Sequence, residues 1–309
     1  MSQNRSLLAA ASLALLLSCR GAAHPKAVAV VPFVEDDFAR ALAMAKESHR
    51  PLFIDVWAEW CAPCMDMKRD VFTDARLVSL RDRFVWLAVD RDKASNEALF
   101  KRYPTPSLPV LLVIDPESEH VVVRRTTFAD APVLITLLET SEAVLARGEL
   151  DETAVAEQWA TSLESAEERD PSLRHSLDQE RLKAYLALGA PERAIPMFED
   201  AERLYPKWYG PSLELARLHL RRGSLDEAKA AVERAAARVG LFRGARPTLD
   251  VFGVAAEIAR ARGDAPAERA ALVAALSRTE KLHLHAEDRA TRAKLRTRLD
   301  ELRAIATPM

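Results

Sequence analysis

The chain has 309 residues, a formal net charge of −2 and an apolar fraction near one half. That length is enough for two domains with full cores, and the near-neutral charge excludes bulk binding to nucleic acid or to an acidic surface through a basic patch. Its three cysteines, Cys19, Cys61 and Cys64, are too few for a disulfide scaffold or a four-cysteine zinc site. Neither a metal nor another cofactor is expected.

The first residues, MSQNRSLLAAASLALLLSC, have the shape of a targeting segment, with Arg5 ahead of an apolar run from Leu7 to Leu17. The run is well short of the ~20 residues that span a bilayer. Leu16-Leu17-Ser18-Cys19 resembles the lipobox of bacterial lipoproteins, which implies a signal peptide over 1–18 and lipidation at Cys19. An ordinary cleaved signal is the other reading. Either places the mature chain outside the cytoplasm, in the envelope or periplasm, where disulfides persist. Residues 19–32 then form a tether.

Between 33 and 147 the pattern alternates. A helix is expected from Glu35 to Ser48, with Asp36 or Asp37 as its cap and Pro51 after its end. LFIDVW follows as a buried strand, and the cysteine pair comes at the start of a helix through Met65 and Met67. TDARLVSL suggests a short helix, FVWLAVD (84–90) a strand, and Ala94 to Tyr103 a helix. PVLLVID (109–115) and HVVVRR form a hairpin across Asp115-Pro116-Glu117-Ser118, and a helix from Pro132 to Arg147 closes the unit.

Beyond Gly148 the strand signals stop and Ala-rich helical segments repeat. LKAYLALGAPERAIPMFEDA superposes on LARLHLRRGSLDEAKAAVERA and, more loosely, on AAEIARARGDAPAERAALVAA. Gly189 and Gly223 are 34 apart, and Gly263 follows 40 later. Phe198, Val232 and Leu272 lie nine residues after these glycines, and Ala201, Ala235 and Ala275 twelve after. This period and pattern resemble the tetratricopeptide repeat. The expected architecture is an α/β domain over 33–147 followed by an all-α, tetratricopeptide-like repeat domain over 148–309; a generic helical bundle is the alternative for the second.

The cysteines admit three readings: a metal clamp, a structural disulfide or a working redox pair. A C-x-x-C between a buried strand and a helix, within a βαβ pattern, is a thioredoxin-like redox arrangement. At a helix N-terminus, unpaired N–H groups and the helix dipole stabilise a thiolate, which makes Cys61 the attacking sulfur and Cys64 the resolving one. DVWAEWCAPC is similar to the active-site segment of thioredoxins, with Ala62 where glycine is usual. The resemblance implies that Trp60 borders the substrate and that buried Asp55 handles the proton of Cys64. It also makes Pro109 a cis-proline facing the disulfide, with the Leu108 backbone pairing to substrate.

Within that superfamily, ALAMAKESHRPLFID before the site and VFTDARLVSL after it resemble the extracytoplasmic C-terminal domain of the DsbD thiol transporters, over roughly 33–147. The implied activity is that of an envelope-anchored thiol-disulfide oxidoreductase, a reductase or isomerase. Its partners would be disulfide-containing extracytoplasmic proteins and a membrane electron donor, with the repeats holding a client. Ala62 and Pro63 carry no charge, which points to the reducing end of the superfamily. The competing expectation is a helical-repeat scaffold lipoprotein in which the thioredoxin-like domain is an adaptor. One departure concerns Asp55: Trp86 stands where many thioredoxins have a lysine, so Asp55 is expected to lack a cationic neighbour.

Overall fold

A computed structural model describes residues 29–305 apart from 106, 149–151, 243 and 285. Cys19, the leader and most of the tether lie outside the described residues.

The N-terminal half is a five-stranded sheet in the order β1-β3-β2-β4-β5. The strands are β1 (Phe33–Glu35), β2 (Leu52–Trp57), β3 (Val85–Asp90), β4 (Val110–Ile114) and β5 (Val121–Arg125). β1, β3 and β2 run parallel; β4 is antiparallel to β2, and β5 to β4. Side chains alternate across the sheet, and two cores follow from that alternation. Leu52, Ile54, Val56, Leu87 and Leu112 face α1 (Phe38–Ser48) and α3 (Glu97–Arg102). Phe53, Trp86, Leu111 and Val113 face α4 (Ala131–Leu145) and the helical segment after the cysteines.

The expected helix from Glu35 begins three residues later. Phe33–Glu35 is instead an edge strand paired to β3. Three residues are too few for a period-two pattern to register. Asp36, at φ 56°, turns the chain, and the Asp37 carboxylate accepts the Arg40 N–H to cap α1. The segment 75–80 is a 3-10 helix capped by Asp74. The hairpin β4–β5 forms as expected.

Eight helices make up the described C-terminal half: α5 (Glu152–Arg169), α6 (Asp178–Ala187), α7 (Ile195–Leu204), α8 (Gly210–Arg221), α9 (Leu225–Val239), α10 (Ala245–Ala261), α11 (Ala265–Arg278) and α12 (Ala286–Ile305). Gly189, Gly223 and Gly263 follow α6, α8 and α10 at φ 66°, 75° and 71°, a region in which a side chain is strained. At the second of these turns Ser224 N–H reaches back to His219 O at 2.9 Å, closing the helix end. Phe198, Val232 and Leu272 are buried, and Ala201, Ala235 and Ala275 are fully so. The alanines let the two helices of a unit approach closely.

The apolar core does not stop where the alternating pattern stops. Leu163 and Ala166 of α5, with Leu173 and Leu177 after it, pack into the N-terminal core, whereas Ala160 belongs to the helical one. Arg125 on edge strand β5 pairs with Glu180 at 3.0 Å, both nearly buried, and donates to Ser176 O. The helix α5 is therefore a shared wall.

Candidate active site

The cysteine pair sits where β2 ends. β2 is buried along nearly its whole length, as a central strand must be, and delivers the chain to a tight turn at Ala58–Trp60. Cys61 is the N-cap of α2 (Ala62–Asp66): its Sγ accepts the Cys64 N–H at 3.3 Å. Pro63 lies in the first turn, where its missing N–H costs nothing. Cys61 and Cys64 are joined as a disulfide with Cα atoms 5.3 Å apart. Cys61 is 4% exposed and Cys64 not at all.

The flanking residues close around the sulfurs. Leu108, Ala58 and Trp57 pack against the two cysteines, and the Leu108–Pro109 bond is cis. Pro109 is buried. Trp60 stands 68% exposed beside the pair, and its indole N–H donates to Asp92 at 2.8 Å. The indole therefore presents an exposed aromatic face next to the nearly buried pair. Among the described residues no cluster of His, Cys, Asp or Glu could hold a metal ion.

Asp55 lies six residues before Cys61 on β2, facing the side of the sheet that α2 and its continuation cover. It is 1% exposed, and its Oδ1 has no hydrogen-bond partner. Burial pushes its pKa up to about 7. Two charges modify that: Lys68 pulls it down and Glu35 pushes it up. The expectation that Asp55 has no cationic neighbour is therefore corrected. Trp86 does occupy β3, where its ring packs against Phe33, Phe53 and Phe84. The cation comes instead from the helix after the cysteines. Lys68 lies four residues after Cys64, so both face inward from one side of the helix. That spacing was present in the sequence but is shared by many surface lysines. Asp92, the partner of Trp60, carried no signal at all.

This sheet, cysteine turn and cis-proline loop define a thioredoxin-like domain, and the glycine-turned helical pairs define a tetratricopeptide-like region. Family models match accordingly: a thioredoxin-like model over residues 34–116 and a tetratricopeptide repeat model over 185–240. Curated relatives include the thiol:disulfide interchange protein DsbD of Cronobacter sakazakii, 33% identical over 106 residues, covering 33% of this chain and 18% of the relative. DsbD 2 of Pseudomonas aeruginosa is 34% identical over 90 residues, or 28% of this chain and 15% of the relative. The chain thus spans less than a fifth of the length of these relatives. Among solved structures, the oxidised C-terminal domain of Neisseria meningitidis DsbD is 21% identical with a TM-score of 0.31, covering 36% of this chain and 99% of that one. A putative disulphide-isomerase from Bacteroides thetaiotaomicron is 31% identical with a TM-score of 0.33, covering 40% and 98%. No described helix is long and apolar enough to cross a membrane.

Proposed function

We propose that the chain is a thiol-disulfide oxidoreductase that reduces or isomerises disulfides of extracytoplasmic proteins. The observation that carries this reading is Cys61 at the N-cap of α2, its sulfur already accepting a backbone N–H. In the reduced protein the same N–H and the helix end favour the thiolate. The Cys61 thiolate attacks a client disulfide, forming a mixed disulfide and expelling one client thiolate. Cys64 then loses its proton to Asp55 and attacks the Cys61 sulfur. The second client sulfur leaves with the bonding electrons and takes a proton from water. Two electrons have passed to the client, and Cys61–Cys64 is oxidised. A membrane electron donor must restore the dithiol. The Leu108 backbone and the Trp60 ring border the client segment, and Pro109 shapes the loop.

The helical half serves to hold partners. Its inter-helix connections expose Tyr205, Trp208, Leu241 and Phe242, with Trp208 44% and Leu241 68% accessible. Anchoring through Cys19 follows from the lipobox-like leader. Fatty-acid labelling of cells tests it, and equal labelling of wild type and Cys19→Ala sinks it. For the redox reading, dithiothreitol-driven insulin reduction is the assay. Turnover by wild type and none by Cys61→Ser is expected. An inert wild type would favour a scaffold in which the thioredoxin-like domain is an adaptor.

A further inference from the structure

Lys68 is a half-buried cation directly after the cysteine turn. Beyond α2 the helix widens into a π turn over Met67–Val71, and Lys68 lies in that turn. Such turns are uncommon and concentrate at functional sites. The turn lays the Lys68 ammonium over the indole of Trp57, with Nζ 2.9 Å from the ring centroid. Trp57 is two residues after Asp55 on β2, so both project from the same face of the sheet.

The strand register supplies the rest of the geometry. Asp55 is opposite Ala88 on β3, and Ala88 is opposite Glu35 on β1. Glu35, Ala88 and Asp55 therefore form one row across the sheet, with the two carboxylate-bearing strands roughly 10 Å apart from the usual strand spacing. The middle residue, buried Ala88, carries only a methyl group and no charge of its own. One end of the row is open to solvent at Glu35; the other is sealed at Asp55. Two buried polar atoms here, Asp55 Oδ1 and Trp57 Nε1, have no hydrogen-bond partner. Unpaired atoms of this kind are rare in a core and need a reason. The charged groups that act on Asp55 are Lys68 and Glu35; those that act on Lys68 are Asp55, Glu35, Asp90 and Asp36.

We propose that Lys68, pinned by the Trp57 indole, is a positioning residue that sets the pH at which Asp55 exchanges its proton, with Glu35 opposing it across Ala88. The cation favours the carboxylate, the form that accepts the Cys64 proton. Glu35 favours the acid, the form that must then unload. The balance between them keeps one buried group usable in both directions. This deepens the oxidoreductase reading and rests on it, since the proton matters only if the cysteine pair turns over.

The test is the Asp55 titration itself, followed by carbon-13 NMR in the full-length disulfide form, which needs no turnover. Lys68→Met should move the midpoint up by about one pH unit or more. Lys68→Arg should restore it, and Trp57→Leu should give a smaller upward shift by releasing the ammonium. Glu35→Gln, at an exposed edge, should move the midpoint down. An unmoved or lowered midpoint in a folded Lys68→Met overturns the proposal. Should that variant not fold, an unmoved or raised midpoint in Glu35→Gln overturns it instead, and a lowered one supports it. Insulin reduction by the wild type, run in parallel, separates the two claims. Shifted midpoints without turnover remove the oxidoreductase reading and keep the coupling; unshifted midpoints with turnover remove the coupling alone.

Discussion

The two halves of the molecule use burial differently. In the sheet half, the central strand β2 buries an acid on the face that carries Phe53, and the neighbouring π turn brings in a lysine. In the helical half, the buried acids Asp178, Asp288 and Glu268 each have a His or Arg partner within 3.0 Å. Glu268 is held by Arg260 at 3.0 Å and Arg298 at 2.7 Å, which keep its carboxyl below the usual range. A buried charge with partners rigidifies a fold; a buried acid left without a hydrogen bond is held ready to change state. That difference fits the redox role proposed for the sheet half.

The largest effect that sharpens this contrast lies in the cysteines. Cys61→Ser should drop insulin reduction to background. Cys64→Ser should accumulate mixed disulfides through Cys61, seen on non-reducing gels, because the intermediate has no internal escape. A symmetrical outcome for the two variants would contradict the assigned roles.

The next effect concerns the shared wall. A chain ending at Gly148 loses Leu163, Leu173 and Leu177 from the N-terminal core and leaves Arg125 without Glu180. Each leucine contributes roughly 1.5–3 kcal/mol when buried. Residues 29–148 should therefore be several kcal/mol less stable in urea than residues 29–187, which keep all of these groups. Equal midpoints would show that the halves meet without sharing a core.

Asp55→Asn acts on rate and stability at once, with opposite signs. Resolution of the mixed disulfide should slow on the order of 10²-fold at pH 8, where wild-type Asp55 is ionised. The difference should shrink below pH 6, where the wild-type acid is already protonated. For stability, the folded pKa of about 7 lies above that of a free aspartate. The native state thus binds this proton more tightly than the unfolded chain does. The wild type loses stability as pH rises from about 4 toward 7, by up to about 4 kcal/mol at roughly 1.4 kcal/mol per unit. Asn carries no such loss, so the variant should be the more stable one at pH 8. Urea midpoints at pH 5 and pH 8 check this, and a pH-independent difference would contradict it.

The smallest effect belongs to the helical half. Gly223→Ala meets no atom within 4 Å, so its cost is the strain of φ 75° alone, about 1 kcal/mol. The helical transition should fall by a few degrees in calorimetry while insulin reduction at 25 °C stays unchanged. A matching loss of activity would mean that the two halves are not functionally separable.

Much of this protein was determined locally. C-x-x-C after an apolar strand is a chemical pattern over a dozen residues, and Gly189, Gly223 and Gly263 mark turns because only a residue without a side chain enters the left-handed region freely. Such features depend on neighbours in the chain. The strand order, the three-residue edge strand β1, and the reach of α5 into the first core depend on residues far apart. Leu163 and Leu134 are buried together although 29 positions separate them in the chain. The cation near Asp55 belongs to the same class. A lysine thirteen residues away is one among many until the sheet register and the π turn place its charge above Trp57. Electrostatics acts through space, and the sequence records distance only along the chain.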